Sequence, residues 1–475
     1  MSQRGHRVES ARPIRFGTSG WRGILGEEIT FDRVRAVVAA AGERIAAARP
    51  GARVLVAHDR RFLGERLART AARVLAGRGL RPVLARGAIP TPVLAAAVRR
   101  SRVAGGLIFT ASHNPPEYQG LKLFAPSGAG WVDTEVGAVE RAAARWLREG
   151  PPPEHEGHAT ADLVAAYLTG LLALLDRDAL RKGRLHAVYD ALHGAGAGIL
   201  DEVLRRAGAR VDVLRTGPDP SFGGDAPDPR PERLGRLRGA VRALRGRAIG
   251  LASDGDADRF AVVDAEGVCV SETDAVALLV DHLARTGRIR RGVAISYATG
   301  GLVERVARDH GLRVTVHPLG FKHLSAALLA GEADVAGEES GGFAWAPFAY
   351  DKDGILAGAL VAELAAGGSV RRRLRLLQRR LGASASGRIA TPVSPGVLRA
   401  LERLASAPPE RVGRAHVREA LCCDGVRLVL DDGFVMFRAS GTEPLVRVYA
   451  DASDAAALER RLRAGLALLR RAARA

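Results

Sequence analysis

Ala104-Gly105-Gly106-Leu107-Ile108-Phe109-Thr110-Ala111-Ser112-His113-Asn114-Pro115-Pro116 is the stretch on which the fold turns. Ala104 to Phe109 is an apolar run that reads as a buried strand. It stops at small polar residues and two prolines, and a Pro-Pro pair fits neither a central strand nor a helix interior. Ser112 therefore falls in a loop at a strand's end, where ligands bind in α/β sheets. It is a candidate nucleophile, although on this stretch alone an ordinary turn serine is the preferred reading.

Strands and helices alternate on both sides of this loop. Upstream lie a helical segment at 31–49, a strand at 53–57 ending in His58-Asp59, a helix at 65–78, a strand at 82–85 and a helix at 92–100. That alternation predicts a layered α/β domain. The opening Gly17-Thr18-Ser19-Gly20-Trp21-Arg22-Gly23 suggests a tight turn displaying Arg22, with a plain hairpin as the bland alternative. Downstream, Leu121-Lys122-Leu123-Phe124 is a short strand, and a proline-rich polar segment at 150–158 is a domain junction.

A helix over 161–180 leads to a second α/β unit. Its strand at 185–189 turns through a glycine-rich segment at 190–196, a weak phosphate signal. After a Pro/Gly/Asp loop at 217–230, a strand at 248–253 runs into Asp254-Gly255-Asp256-Ala257-Asp258-Arg259. A third unit ends at Gly337-Glu338-Glu339-Ser340-Gly341-Gly342. From about residue 381 the pattern changes to short strands and a final helix, a small α+β domain. The expected divisions are 1–155, 156–265, 266–380 and 381–475.

The chain has 475 residues, 47% of them apolar, enough for roughly three or four domains. Three cysteines make no disulfide framework and suit a reducing cytoplasm. No leader or membrane-length apolar run is visible, so no membrane partner is expected. The formal charge is +19. A nucleic-acid surface is one reading, but the arginines are scattered and a compositional bias is preferred. A basic field also attracts anionic substrates. Only four of the 71 basic residues are lysine, namely Lys122, Lys182, Lys322 and Lys352. Where arginine is so freely used, a retained lysine hints at a need for its compact charge.

Asp254, Asp256 and Asp258 are the strongest chemical signal. Three clustered carboxylates repel one another, and a hard divalent cation relieves that repulsion. A calcium loop fails by count, because Arg259 and Ala265 stand where glycine and glutamate are required. Mg2+ fits better, and a solvated acidic turn is the bland alternative. The Glu338–Ser340 loop could accept hydrogen bonds from sugar hydroxyls. Arg438-Ala439-Ser440-Gly441-Thr442-Glu443-Pro444, with Arg447 nearby, could form an anion nest, or simply a tight hairpin. Together the four loops suggest phosphoryl transfer on a phosphorylated polyol. Neither a Walker loop nor the kinase signature set is present, so a nucleotide donor is not expected.

These loops resemble, in order and spacing, the four signature loops of the α-D-phosphohexomutase family, and Gly17–Gly23 is similar to its prokaryotic phosphoglucomutase/phosphomannomutase branch. The resemblance covers essentially the whole chain. It implies a heart-shaped, four-domain protein: three related α/β/α domains with mixed sheets and a C-terminal α+β domain around a central cleft. It implies that Ser112 is the phosphoserine and completes a Mg2+ site with Asp254, Asp256 and Asp258. Arg22, His113, Lys122 and Arg259, with Lys322 as a further candidate, would form the reaction centre. Glu338 and Ser340 would bind sugar hydroxyls. Arg438, Ser440, Gly441 and Thr442 would hold the unreacting phosphate, with Arg447 as a second fork.

The implied reaction converts glucose 1-phosphate to glucose 6-phosphate through a hexose 1,6-bisphosphate, with glucose 1,6-bisphosphate as activator. Glu339 and Trp21 resemble glucose-preferring members. Gln119 and Ala439 depart from commoner family residues without removing a reactive group, which leaves substrate preference open. The alternatives are a phosphomannomutase or dual-specificity enzyme, then a phosphoglucosamine mutase, then a catalytically silent basic binding protein on the same scaffold. The expected partner is a small hexose phosphate, not nucleic acid, and monomer and homodimer both stay open.

Overall fold

The computed structural model describes residues 13–422, 424–440 and 444–474. Among these, the strands fall into four sheets. The first contains β1 (Phe16–Gly17), β2 (Gly20–Ile24), β3 (Arg53–His58), β4 (Arg81–Ala85), β5 (Gly106–Phe109), β6 (Tyr118–Phe124) and β7 (Ala159–Ala161), in the order β1-β2-β6-β5-β3-β4-β7. The second contains β8 (His186–Asp190), β9 (Arg210–Leu214), β10 (Ala248–Ser253), β11 (Phe260–Val263) and β12 (Cys269–Val270), in the order β12-β11-β10-β8-β9. The third contains β13 (Gly292–Ser296), β14 (Arg313–His317), β15 (Val335–Gly337) and β16 (Phe343–Trp345), in the order β14-β13-β15-β16.

One plan repeats in these three sheets. A buried parallel strand ends, a short loop follows, and the next strand returns antiparallel beside it. Thus β5 pairs with β6, β10 with β11, and β15 with β16. The intervening loops carry Ser112, the three aspartates and Glu338. The parallel strands read as near-continuous apolar runs because helices cover both faces. β5 and β10 are buried at every position.

The fourth sheet is wholly antiparallel. It contains β17 (Ala385–Pro392), β18 (Arg411–Val412), β19 (Ala415–Leu421), β20 (Val426–Leu430), β21 (Gly433–Ala439) and β22 (Leu445–Ala452). Its order is β17-β22-β21-β20-β19-β18. The helices Pro395–Ser406 and Ala455–Arg474 cover its apolar face. The architecture is therefore three α/β domains with mixed sheets and a C-terminal α+β domain.

One hydrophobic core runs through the first three domains, whereas the fourth has its own. The helix Gly354–Gly367 explains the fusion. It is apolar on all sides, buried from Gly354 to Ala366, and packs against β10, β11 and the helices Arg177–Gly183 and Leu200–Ala207 of the second domain. The fourth domain meets the third through smaller contacts. Asp451, held by the Ser384 and Ser386 hydroxyls of its own domain, accepts from the Gly301 N–H of the third. No single helix among the described residues is long and apolar enough to cross a membrane.

Three details differ from the sequence reading. The helix expected over 161–180 is two helices, Val164–Leu172 and Arg177–Gly183, and Asp176 restarts the chain by accepting from the Ala179 N–H. β7 pairs with β4, so the first sheet extends past residue 155. Arg22 is not displayed at a turn: Gly17 and Gly20 close a hairpin, and Arg22 lies within β2, opposite Gly120.

Candidate active site

Ser112 sits immediately beyond β5 with φ +52, a left-handed backbone that costs a non-glycine residue about 1–2 kcal/mol. Local bonds hold it there. Its N–H donates to Thr110 Oγ1 at 2.9 Å, and the Asn114 N–H donates to the Ala111 carbonyl at 3.0 Å. The hydroxyl is thereby aimed out of its own domain. Ser112 Oγ donates to Asp254 Oδ2 at 2.6 Å and lies 3.4 Å from His113 Nδ1. Gly255 permits this approach, since a Cβ there would stand 2.5 Å from the Ser112 carbonyl oxygen.

Asp254, Asp256 and Asp258 are buried, and each offers a carboxylate oxygen within 4.8 Å of the others. Lys122, projecting from β6, donates to Asp256 Oδ2 at 2.6 Å and Asp258 Oδ2 at 2.7 Å. Thr91 Oγ1 also donates to Asp256 Oδ2, at 2.5 Å. Asp256 Oδ1 and Asp258 Oδ1 are buried and have no hydrogen-bond partner among the described residues. An unpaired carboxylate oxygen is costly to bury. Three carboxylates carrying two orphaned oxygens are a donor set that a hard divalent cation fits.

The charges around this cluster shift its members in different directions. Burial, then repulsion from Asp256 and Asp258, pushes the Asp254 carboxyl well above the usual range. Burial would also raise Asp258, but Lys122, Lys352 and Arg259 outweigh it and hold Asp258 low. Lys122 is raised because Asp256 and Asp258 overcome its burial, so it stays an ammonium. His113 is pushed well below the ordinary histidine value by burial, with Arg259 and Arg22 adding to the effect. That shift favours the neutral imidazole beside the Ser112 hydroxyl.

The remaining candidates are distributed around this centre. Arg22 Nη1 donates to Asn114 Oδ1 at 2.8 Å. Arg259 forms a β-bridge with Gly342, which joins the aspartate loop to the Glu338 loop. There Ser340 Oγ donates to Glu338 Oε1 at 2.6 Å, and burial followed by Glu339 raises the Glu338 carboxyl. Lys322 pairs with Asp133 rather than with the aspartates, and shares a recess with Lys122, Lys352 and Phe321. In the fourth domain, Arg438 lies opposite Arg447 across β21 and β22. The Ser440 N–H donates to the Leu445 carbonyl at 2.8 Å. Gly441 and Thr442 lie outside the described residues.

The structure adds residues that the motifs did not single out. Lys352 Nζ lies 3.5 Å from Asp258 Oδ2, and its stem lies against Gly342, where a Cβ would come within 2.5 Å of it. The scarcity of lysine is the signal that could have found it. Asp59 and Arg61, just beyond β3, lie against the Ser112 loop. The polar pair His58-Asp59 at a strand's end was a trace of Asp59, and nothing in the sequence marked Arg61.

Comparison with known proteins agrees with this layout. Family models for phosphoglucomutase/phosphomannomutase match in four consecutive parts: α/β/α domain I over residues 13–148, domain II over 165–267, domain III over 272–380, and the C-terminal domain over 393–466. A phosphoglucomutase/phosphomannomutase of Thermococcus kodakarensis is 31% identical over 468 residues, covering 96% of this chain and 98% of its own. A phosphoglucosamine mutase of Kineococcus radiotolerans is 32% identical over 453 residues, covering 92% and 94%. The crystal structure of a phosphoglucomutase/phosphomannomutase family protein from Burkholderia thailandensis superposes with a TM-score of 0.82 at 25% identity, covering 97% of both chains.

Proposed function

The chain belongs to the phosphoglucomutase/phosphomannomutase family of phosphohexomutases, and from that premise we propose that it interconverts glucose 1-phosphate and glucose 6-phosphate through a phosphoserine at Ser112. The observation that carries the reading is the 2.6 Å contact of Ser112 Oγ with Asp254 Oδ2, a carrier oxygen from one domain against a carboxylate cluster from another.

Ser112, Asp254, Asp256 and Asp258 would hold Mg2+, which supplies charge neutralisation for a transferring phosphoryl group. The chain's own cations serve the same end. Arg22, Lys122, Arg259 and Lys352 surround the Ser112 hydroxyl and the aspartates, and catalysis of phosphoryl transfer rests mainly on positioning and electrostatics. In the forward step the bond between phosphorus and Ser112 Oγ breaks and one forms to a sugar hydroxyl oxygen, whose proton is balanced by the one that Ser112 Oγ takes up as it leaves. The resulting hexose 1,6-bisphosphate reorients, and its other phosphoryl group returns to Ser112. Glu338 and Ser340 would hold sugar hydroxyls. Arg438, Ser440, Gly441 and Thr442, with Arg447, would hold the unreacting phosphate.

The choice of glucose rests on the Glu338-Glu339-Ser340-Gly341 loop. Trp21 drops out of that argument because it is buried in the core of the first domain. Glu339 accepts from Ser296 Oγ at 2.7 Å, so its support is indirect. A phosphomannomutase or phosphoglucosamine mutase is the second reading, since relatives at similar identity carry both names. Competing kcat/KM values on glucose, mannose and glucosamine phosphates, with the cognate bisphosphate and Mg2+, test it. A preference for mannose or glucosamine phosphate would replace glucose, and no turnover on any of them would end the reading.

A further inference from the structure

The loop that carries Ser112 is gathered onto one buried guanidinium. Arg61 is 3% exposed. Its Nη2 donates to the carbonyls of Ser112 and Asn114, both at 2.6 Å, and its Nη1 to those of Pro115 at 2.8 Å and Tyr118 at 3.0 Å. Its guanidinium carbon lies 4.9 Å from the centre of the Phe222 ring, in the second domain. Asp59 supports it. Asp59 Oδ1 accepts from the Arg61 N–H at 3.0 Å, Oδ2 stands 3.5 Å from Arg61 Nε, and the Asp59 N–H donates to the Phe109 carbonyl at the end of β5.

We propose that Arg61 is a positioning residue for phosphoryl transfer: its fork gathers the loop carbonyls, holds Ser112 in its left-handed conformation and so fixes Oγ against the aspartate cluster. This rests on the assignment of Ser112 as phosphoryl carrier. Two physical points favour a role in the reaction over simple packing. The four carbonyls, the negative ends of their peptide dipoles, are turned onto Arg61, so the loop presents fewer negative dipole ends where a phosphoryl anion must sit. Arg61 also bridges the domain that supplies the serine to the one that supplies the metal ligands, through Phe222. Arginine is required because one planar fork reaches four acceptors. A lysine ammonium is a point charge on a flexible stem and cannot span them.

The test is Arg61→Lys, which keeps the charge and removes the fork. Expected is a fall in kcat on the order of 100-fold with KM near the wild-type value, because a small misplacement of the carrier slows transfer without touching the sugar site. Loading of Ser112 from glucose 1,6-bisphosphate, followed by intact mass, slows in parallel. Mg2+ binding by calorimetry stays at the wild-type level. Unchanged kcat per folded molecule, or a change confined to KM, would overturn the inference. If Arg61→Lys does not fold, Asp59→Asn keeps the acceptor for the Arg61 N–H and removes only the opposing charge. It is expected to lower kcat in the same sense, and an unchanged kcat overturns the inference. A wild-type protein that turns over no hexose phosphate defeats the functional reading instead. Amide exchange across 110–118 then decides on Arg61: faster exchange in Arg61→Lys supports the clamp, and unchanged exchange removes it.

Discussion

Ser112 and Asp254 meet at 2.6 Å although 142 residues separate them in the chain. The contact depends on backbone approach as much as on the two side chains, because Gly255 packs against the Ser112 carbonyl. Ser112→Ala is expected to reduce multiple turnover on the order of 10³–10⁶-fold, as removal of a covalent carrier does. The fold should persist, since a single hydrogen bond to a carboxyl, about 1.5–3 kcal/mol, is lost. Turnover assays beside a thermal melt check both halves, and wild-type rates would remove Ser112 from its role.

Gly255→Ala separates approach from chemistry. The added Cβ would press on backbone, which has little room to yield. The expected result is a loss of turnover on the order of 100-fold with every reactive side chain still present. Undiminished turnover would show that the close packing of the two loops is incidental.

Lys122 is a counterion to the carboxylates proposed to hold a divalent cation. Lys122→Met leaves Asp256 and Asp258 without their nearest positive charge, a defect of roughly 3–5 kcal/mol. Turnover should fall, and the rise in Tm on adding Mg2+ should exceed that of the wild type, because the cation then supplies the missing charge. An unchanged Mg2+-dependence of Tm would show that the ion does not bind at this cluster. Chelation of divalent ions should abolish wild-type activity and Mg2+ restore it.

The four-part fold was legible because its key turns are abrupt. The apolar runs preceding Thr110, Asp254 and Glu338 are completely buried strands, and the polar residues after them can only be loops. The Asp254–Asp258 spacing was equally plain. What stayed hidden depends on contacts between distant segments. Arg61 reads as one arginine among many, and nothing local shows that its acceptors lie more than fifty residues onward. The break at Asp176 was missed because an apolar helix pattern spans it, and a single capping aspartate overrides the pattern. Lys322 was assigned from its motif, whereas its ammonium pairs with Asp133.

Asp424 ties Arg438, proposed to hold the unreacting phosphate, to the third domain. One of its oxygens accepts from Arg438 Nε at 2.9 Å and the other from the Leu319 N–H at 2.7 Å. Leu319 lies directly before the Gly320-Phe321-Lys322 segment, so the two loops share one carboxylate. Asp424→Ala releases both. Charge-assisted bonds contribute about 1.5–3 kcal/mol, so KM for the hexose phosphate should rise by roughly tenfold or more, with a smaller effect on kcat. Steady-state kinetics decide it, and an unchanged KM would show that Arg438 is held independently of Asp424.

Asp353 gives a pH signature of the buried junction between the second and third domains. It caps the helix Gly354–Gly367 through the Leu356 N–H, and both its oxygens accept from the Tyr167 hydroxyl at 2.8 and 2.9 Å. Burial pushes its carboxyl up to about 7. The sign follows from proton uptake. The folded chain keeps a proton that the unfolded chain releases near its ordinary value of 3.8, so this group's contribution is fully present below about pH 4. It is lost as pH rises towards about 7 and is flat above that. At about 1.4 kcal/mol per unit, the full swing is about 4 kcal/mol. Asp353→Asn keeps a capping oxygen and cannot ionise. Denaturant titrations of the two proteins, from about pH 4 to about pH 8, should show the variant gaining relative stability as pH rises, with all other titrating groups cancelling in the difference. Parallel profiles would mean that Asp353 titrates at the same pH in the folded and unfolded chains.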